Sequence, residues 1–255
     1  MITQVKRRLV VGVLFLLVGF VSTTQADVSV KIIGSEYDSS KVFWTEKSRA
    51  FKAAKITTEL QKILDGAGVG TANVVYEDRY DYYAGKEVLN LASWFHWPYP
   101  AGATEQETEL NRWADLRGEG SNQWDYVILI GDSYTIEKMP GLYAHGVAKV
   151  SEEVAKGTNG AETILLVPWP SAVSDSTVAH YKEVVYRVGR SGGLKVAPAA
   201  LAREAAETAG LVGADLTPDS DTNSYICAAS LYSRIWNQSA TNSSYAFNDT
   251  LADSV

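Results

Sequence analysis

The sequence has one cysteine, three histidines and seven prolines in 255 residues. One sulfur cannot build an intramolecular disulfide framework or a thiolate zinc cluster. The histidines, His96, His145 and His180, form no i, i+4 pair and have no carboxylate at ligand spacing, which argues against a metal site. Basic residues are also few: 23 Lys and Arg stand against 30 Asp and Glu, a net charge of -7. That is the wrong sign for a protein that grips a phosphate backbone, so no nucleic-acid partner is expected. Phosphate-binding loops are missing as well. Gly66-Ala67-Gly68-Val69-Gly70 follows a helical pattern instead of a strand, and Gly189-Arg190-Ser191-Gly192-Gly193 lacks the Lys-Ser/Thr of a phosphate loop. No cofactor is implied.

A long apolar run is the last absence. Leu9 to Val21 is 13 residues, short of the roughly 20 needed to cross a bilayer. Lys6, Arg7 and Arg8 precede it and Thr24-Gln25-Ala26 follows it, the pattern of a signal peptide cut before Asp27. The expected product is exported, secreted or periplasmic, with no stable membrane span after signal removal and a charge near -10.

What remains is ordinary globular composition, 46% hydrophobic and 21% charged. Short runs rich in Val and Ile at Val28–Gly34, Ala72–Glu77, Tyr126–Gly131, Thr163–Trp169 and Leu194–Pro198 read as buried strands. Helical spacing links Ala50 through Leu64 up to a stop at Gly66, and Val147, Val150 and Val154 up to Gly157. Thr104-Glu105-Gln106-Glu107 has the form of a capping box ahead of Leu110, Trp113 and Leu116. Further helices fit Val178–Val188, Ala199–Gly210 and Thr222–Trp236. Strict alternation predicts one α/β domain over 27–236, a flavodoxin-like three-layer α/β/α arrangement with a five-stranded parallel sheet, and a loop or tail over 237–255. Cys227, in the apolar Tyr225-Ile226-Cys227-Ala228-Ala229, is expected to be a buried, inert thiol.

In such a sheet ligands bind beyond the carboxyl ends of the strands. The segments there are Gly34 to Ser40, Arg79 to Lys86, and Gly131-Asp132-Ser133-Tyr134-Thr135. With Trp124-Asp125-Tyr126 leading into the third strand, Trp169 closing the fourth, and Tyr225-Ile226-Cys227-Ala228-Ala229 in the last helix, the chain resembles the SGNH/GDSL hydrolases over nearly its whole mature length. The resemblance implies a nucleophilic serine after the first strand, an oxyanion glycine after the second, an oxyanion asparagine after the third, and an Asp-x-x-His pair before the last helix.

Carried over residue by residue, it points to Ser35, one place early because Glu36 takes the serine's register, and to Gly85 as the oxyanion glycine. Ser133 falls at the asparagine position, although Gly131-Asp132-Ser133 spells the family's serine motif on the wrong strand. Asp219 is followed three residues later by Thr222, and no histidine follows His180. A serine hydroxyl needs an adjacent base, so the expected catalytic set is Ser35 or Ser133 with His96, taken from Trp94-Phe95-His96-Trp97. Gly85, Asp132, Trp94 and Trp97 are the expected oxyanion and binding residues. His145 and His180 read as solvated helix residues. Eight aromatic residues between Tyr76 and Tyr99 suggest stacking on sugars. The expected function is an esterase acting on an acyl ester such as acylated carbohydrate. The alternative is an inactive SGNH-like domain that binds a glycan or a protein.

Overall fold

The structure is a computed structural model that describes residues 27–34, 53–70, 72–78, 91, 105–119, 123–131, 133–170, 177–213, 220–245 and 247. Strands β1 (Val28–Gly34), β2 (Ala72–Asp78), β3 (Tyr126–Ile130), β4 (Glu162–Leu166) and β5 (Lys195–Ala197) form one sheet in the order β2-β1-β3-β4-β5. Every neighbouring pair is parallel. The helices are α1 (Ala53–Gly66), α2 (Glu105–Leu116), α3 (Ser133–Lys138), α4 (Pro140–Ala155), α5 (Val178–Gly192), α6 (Ala199–Thr208) and α7 (Asp221–Trp236). This is the expected three-layer α/β architecture. The apolar runs form strands because both of their faces are covered, which parallel sheets require.

The pleat sends alternate residues to opposite cores. Val30, Ile32, Ile128, Ile130, Ile164 and Leu166 meet α1 and α7. Ile33, Val127, Leu129 and Leu165 meet α2, α3, α4 and α5. Lys31, on that second face, is buried and paired with Asp115 of α2.

Several boundaries differ from the sequence expectation for identifiable reasons. β4 stops at Leu166 and not Trp169, because Pro168 and Pro170 have no N–H to give a ladder. The helix after Gly131 is broken into α3 and α4 at Met139, with Pro140 in the first turn of α4, where its missing N–H costs nothing. α5 runs past Val188 through Gly189 to a left-handed cap at Gly193, φ 66°. Gly189 is needed for close packing: a Cβ there would lie 2.6 Å from Val196 Cγ2. Residues 1–26, the expected signal peptide, lie outside the described residues. Among the described residues no helix is long and apolar enough to cross a membrane.

Residues 238–245 are loop around a 3-10 turn at Ala240–Asn242, and they are fastened along α1. Ser243 Oγ donates to the Ile63 carbonyl at 2.8 Å, Ser244 N to the Gly66 carbonyl at 2.9 Å, and Tyr245 Oη to Glu59 at 2.6 Å.

Candidate functional site

The sheet order reverses between β1 and its neighbours: the chain leaves β1 for β2 on one side and returns to β3 on the other. The carboxyl ends of β1 and β3 therefore flank a topological switch point, where open α/β sheets hold their ligands. Gly34 ends β1 and Gly131 follows β3 at this crevice. Gly131 is a glycine for a packing reason, since a Cβ there would collide with the buried ring of Tyr143. That contact fixes the level at which the chain turns from β3 into α3.

Ser133 is the first residue of α3, three positions beyond Ile130. Ile130 is the register partner of Leu166, and three positions beyond Leu166 stands Trp169. Ser133 and Trp169 therefore both lie beyond the carboxyl ends of adjacent parallel strands. Val167 is tied to the next crossover, its N–H donating to the Ala197 carbonyl at 3.0 Å and its carbonyl accepting from Ala200 N at 3.1 Å.

α5 starts at the same edge after β4. Its cap is Thr177, whose side chain accepts from His180 N at 3.3 Å, so His180 lies in the first turn of α5. His180 is half-buried, and its Nε2 is buried with no hydrogen-bond partner among the described residues. α3 packs directly on α5. A serine and a histidine thus start adjacent helices at one edge. The sequence signal for this helix start is Thr177, a capping residue three places before His180. His145 is exposed on α4. Of the other sequence-predicted residues, Ser35, Gly85, Trp94, His96, Trp97 and Asp132 lie outside the described residues.

The last block differs in character. Thr222 is the second residue of α7, capped by Ser220 accepting from Asn223 N at 3.1 Å. Asp221 pairs with Lys55 of α1 at 2.6 Å, and that ammonium holds its carboxyl below the usual range. Among the described residues no imidazole stands at this corner. Cys227 is fully buried, and burial pushes its thiol far above the usual range, as expected of an inert sulfur.

The motifs behind the resemblance are structural. Trp124 is buried with Nε1 donating to the Asp115 carbonyl at 2.9 Å. Asp125 Oδ2 accepts from Ser29 N at 2.8 Å, while its backbone bonds Ser29 and Glu162, stitching the starts of β1, β3 and β4. Tyr225, Ala228 and Ala229 are the fully buried face of α7.

No family model and no curated protein matches the chain by sequence. By structure it is similar to a candidate SGNH hydrolase from Slackia heliotrinireducens, with TM-score 0.54 and 18% identity over 82% of this chain and 100% of that one. The fold is that of the SGNH/GDSL hydrolases. A DUF4886 family protein from Bacteroides uniformis shares the SGNH-like arrangement with TM-score 0.57 and 13% identity over 90% of this chain and 93% of that one. At these identities the likeness concerns architecture, and the chemistry of the SGNH-like edge has to be argued from its own residues.

Proposed function

We propose that the protein is an exported SGNH-like hydrolase that cleaves acyl esters, with acylated carbohydrate as its substrate class. The observation that supports this reading is the placement of His180, with its buried and unpartnered Nε2, in the first turn of the helix that packs on the helix begun by Ser133. In this reading Ser133 Oγ attacks the ester carbonyl while its proton passes to His180 Nε2. Collapse of the tetrahedral adduct breaks the bond to the sugar oxygen, which takes that proton and leaves as the alcohol. Water then repeats the sequence on the acyl-serine and releases the acid. Gly85, Asp132, Trp94 and Trp97 remain the proposed oxyanion and binding residues, with Ser35 and His96 as the alternative nucleophile and base.

Hydrolysis of a short-chain chromogenic ester by the purified chain tests this. Ser133→Ala and His180→Gln are each expected to lower turnover about a thousandfold or more. Loss in Ser35→Ala with full activity in Ser133→Ala would move the nucleophile to Ser35, and a loss in His96→Gln alone would move the base to His96. A second reading, a silent domain that binds a glycan or protein, draws support from Thr222, which occupies the first turn of α7 where the family's Asp-x-x-His motif would bring its histidine. Absence of turnover on both chromogenic and acetylated-sugar esters would favour it.

A further inference from the structure

We infer that Trp169 is the platform on which a neutral pyranose ring of the ligand stacks, with Arg203 as the residue that holds the platform in place. The inference deepens the reading of the carboxyl edge as the site and names what that edge recognises.

The segment carrying Trp169 is unusually constrained. Pro168 and Pro170 flank it, both buried, and each fixes its own φ. The backbone just before it is bonded on both sides to the β5–α6 junction through Val167. The ring is then gripped from below: the Arg203 guanidinium carbon lies 3.9 Å from its centroid, van der Waals contact on the ring face. Arg203 is only 2% exposed. Burying a guanidinium is costly, and an aliphatic side chain from α6 would fill the same space at no such cost. A planar cation under an indole instead fixes both the tilt and the position of the ring. Trp169 nevertheless remains half-buried, keeping part of its surface for contact.

The chemistry of the ligand follows from this surface and its surroundings. An indole offers a flat apolar area suited to the C–H face of a sugar ring. The chain carries net charge -7, so an anionic ligand is disfavoured at long range. The two prolines beside the indole have no backbone N–H to donate. A neutral, flat, C–H-rich ring meets these conditions. Ser133 opens the helix that follows the adjacent strand β3, so the platform and the proposed nucleophile share the carboxyl edge of the sheet.

Calorimetric titration of the full chain with cellobiose and with acetylated cellobiose tests the platform without relying on turnover. Wild type is expected to bind both, Trp169→Ala to weaken both roughly three- to tenfold, and Trp169→Phe, which keeps a flat ring, to recover part of the loss. Arg203→Met should weaken binding less than Trp169→Ala, with Arg203→Lys closer to wild type. Thermal melts of each variant identify any that fails to fold, and Trp169→Phe then carries the comparison. Binding equal to wild type in both Trp169→Ala and Trp169→Phe, or no binding by wild type, overturns the inference. If Ser133→Ala keeps full esterase activity while Trp169→Ala loses sugar binding, the proposed Ser133 chemistry fails and the platform stands. If Ser133→Ala loses turnover and Trp169→Ala binds normally, the reverse holds.

Discussion

The two faces of the sheet are built differently. On one, α7 is buried continuously from Asn223 to Tyr232, with α1 and α6 beside it and residues 238–245 laid over α1. On the other, α4 and α5 bury one stripe each and leave the rest to solvent. Ser133, His180 and the Trp169 segment all belong to elements of this second, thinner face. The difference assigns a division of labour: one face is closed by an added segment and holds the sheet, and the other, among the described residues, is a layer of helices of which α3 and α5 begin at the crevice. Substitutions in the first should change stability without changing chemistry at temperatures where the protein is folded. Substitutions at the helix starts of the second should do the opposite.

The largest stability effect should come from Tyr225→Ala. Tyr225 is fully buried and stacks on Phe247 with centroids 5.5 Å apart, so truncation removes core contacts and the anchor of the overlying segment together. A loss of about 3–5 kcal/mol is expected in urea unfolding. Turnover per folded molecule at low denaturant should stay unchanged, and a large fall in it would break the division between the faces.

A smaller effect is expected at Lys31, the buried cation of the thinner face. Its ammonium pairs with Asp115 and lies 5.3 Å from the Trp124 ring centroid. Lys31→Met leaves a carboxylate that is 27% exposed and so partly rescued by water, for a cost of about 2–3 kcal/mol. The double variant Lys31→Met with Asp115→Leu should recover most of it. Recovery would show that the pair is tolerated more than required, and its absence would show that the pair also orients α2.

The fold was readable because five strands are covered on both sides and therefore appear as unbroken apolar runs, and because α7 carries buried Tyr225, Ala228 and Ala229 at helical spacing. The boundaries were less readable where tertiary contacts decide them. Nothing local to Gly189 says that Val196 will press against it, so α5 was expected to stop early. The site was harder still. The helix start at Val178 was legible and places His180 in the first turn, but by its spacing His180 reads as a solvated helix residue, and the burial of its Nε2 depends on packing that no local pattern shows. Trp169 was legible as a strand end, but its partner Arg203 is 34 residues away on another crossover, a distance that no short motif spans. Ser133 was identified from a tripeptide, and its position at the start of α3 came from the turn that Tyr143 imposes on Gly131.

The smallest and sharpest effect concerns pH. Glu153 of α4 is buried on the thinner face. Burial alone would raise its carboxyl, but hydrogen bonds from Lys156 and Arg117 outweigh it and hold the group below its ordinary 4.5. Arg117, just past α2, reaches it with Nε at 2.8 Å, so the carboxylate fastens α2 to α4. A carboxyl whose folded pKa is depressed binds fewer protons in the folded state than in the unfolded one, so it stabilises the fold above its unfolded value. That contribution fades as pH falls from about 4.5 through the lower folded value. Glu153→Gln should therefore cost about 1–2 kcal/mol in urea unfolding between pH 6 and 8, and the gap from wild type should shrink as the pH drops below about 4.5. Because Glu153 lies far along α4 from the helix starts, ester turnover should not follow this pH dependence while the protein stays folded. A gap that persists undiminished at pH 3 would mean that the shape of Glu153, and not its charge, joins the two helices.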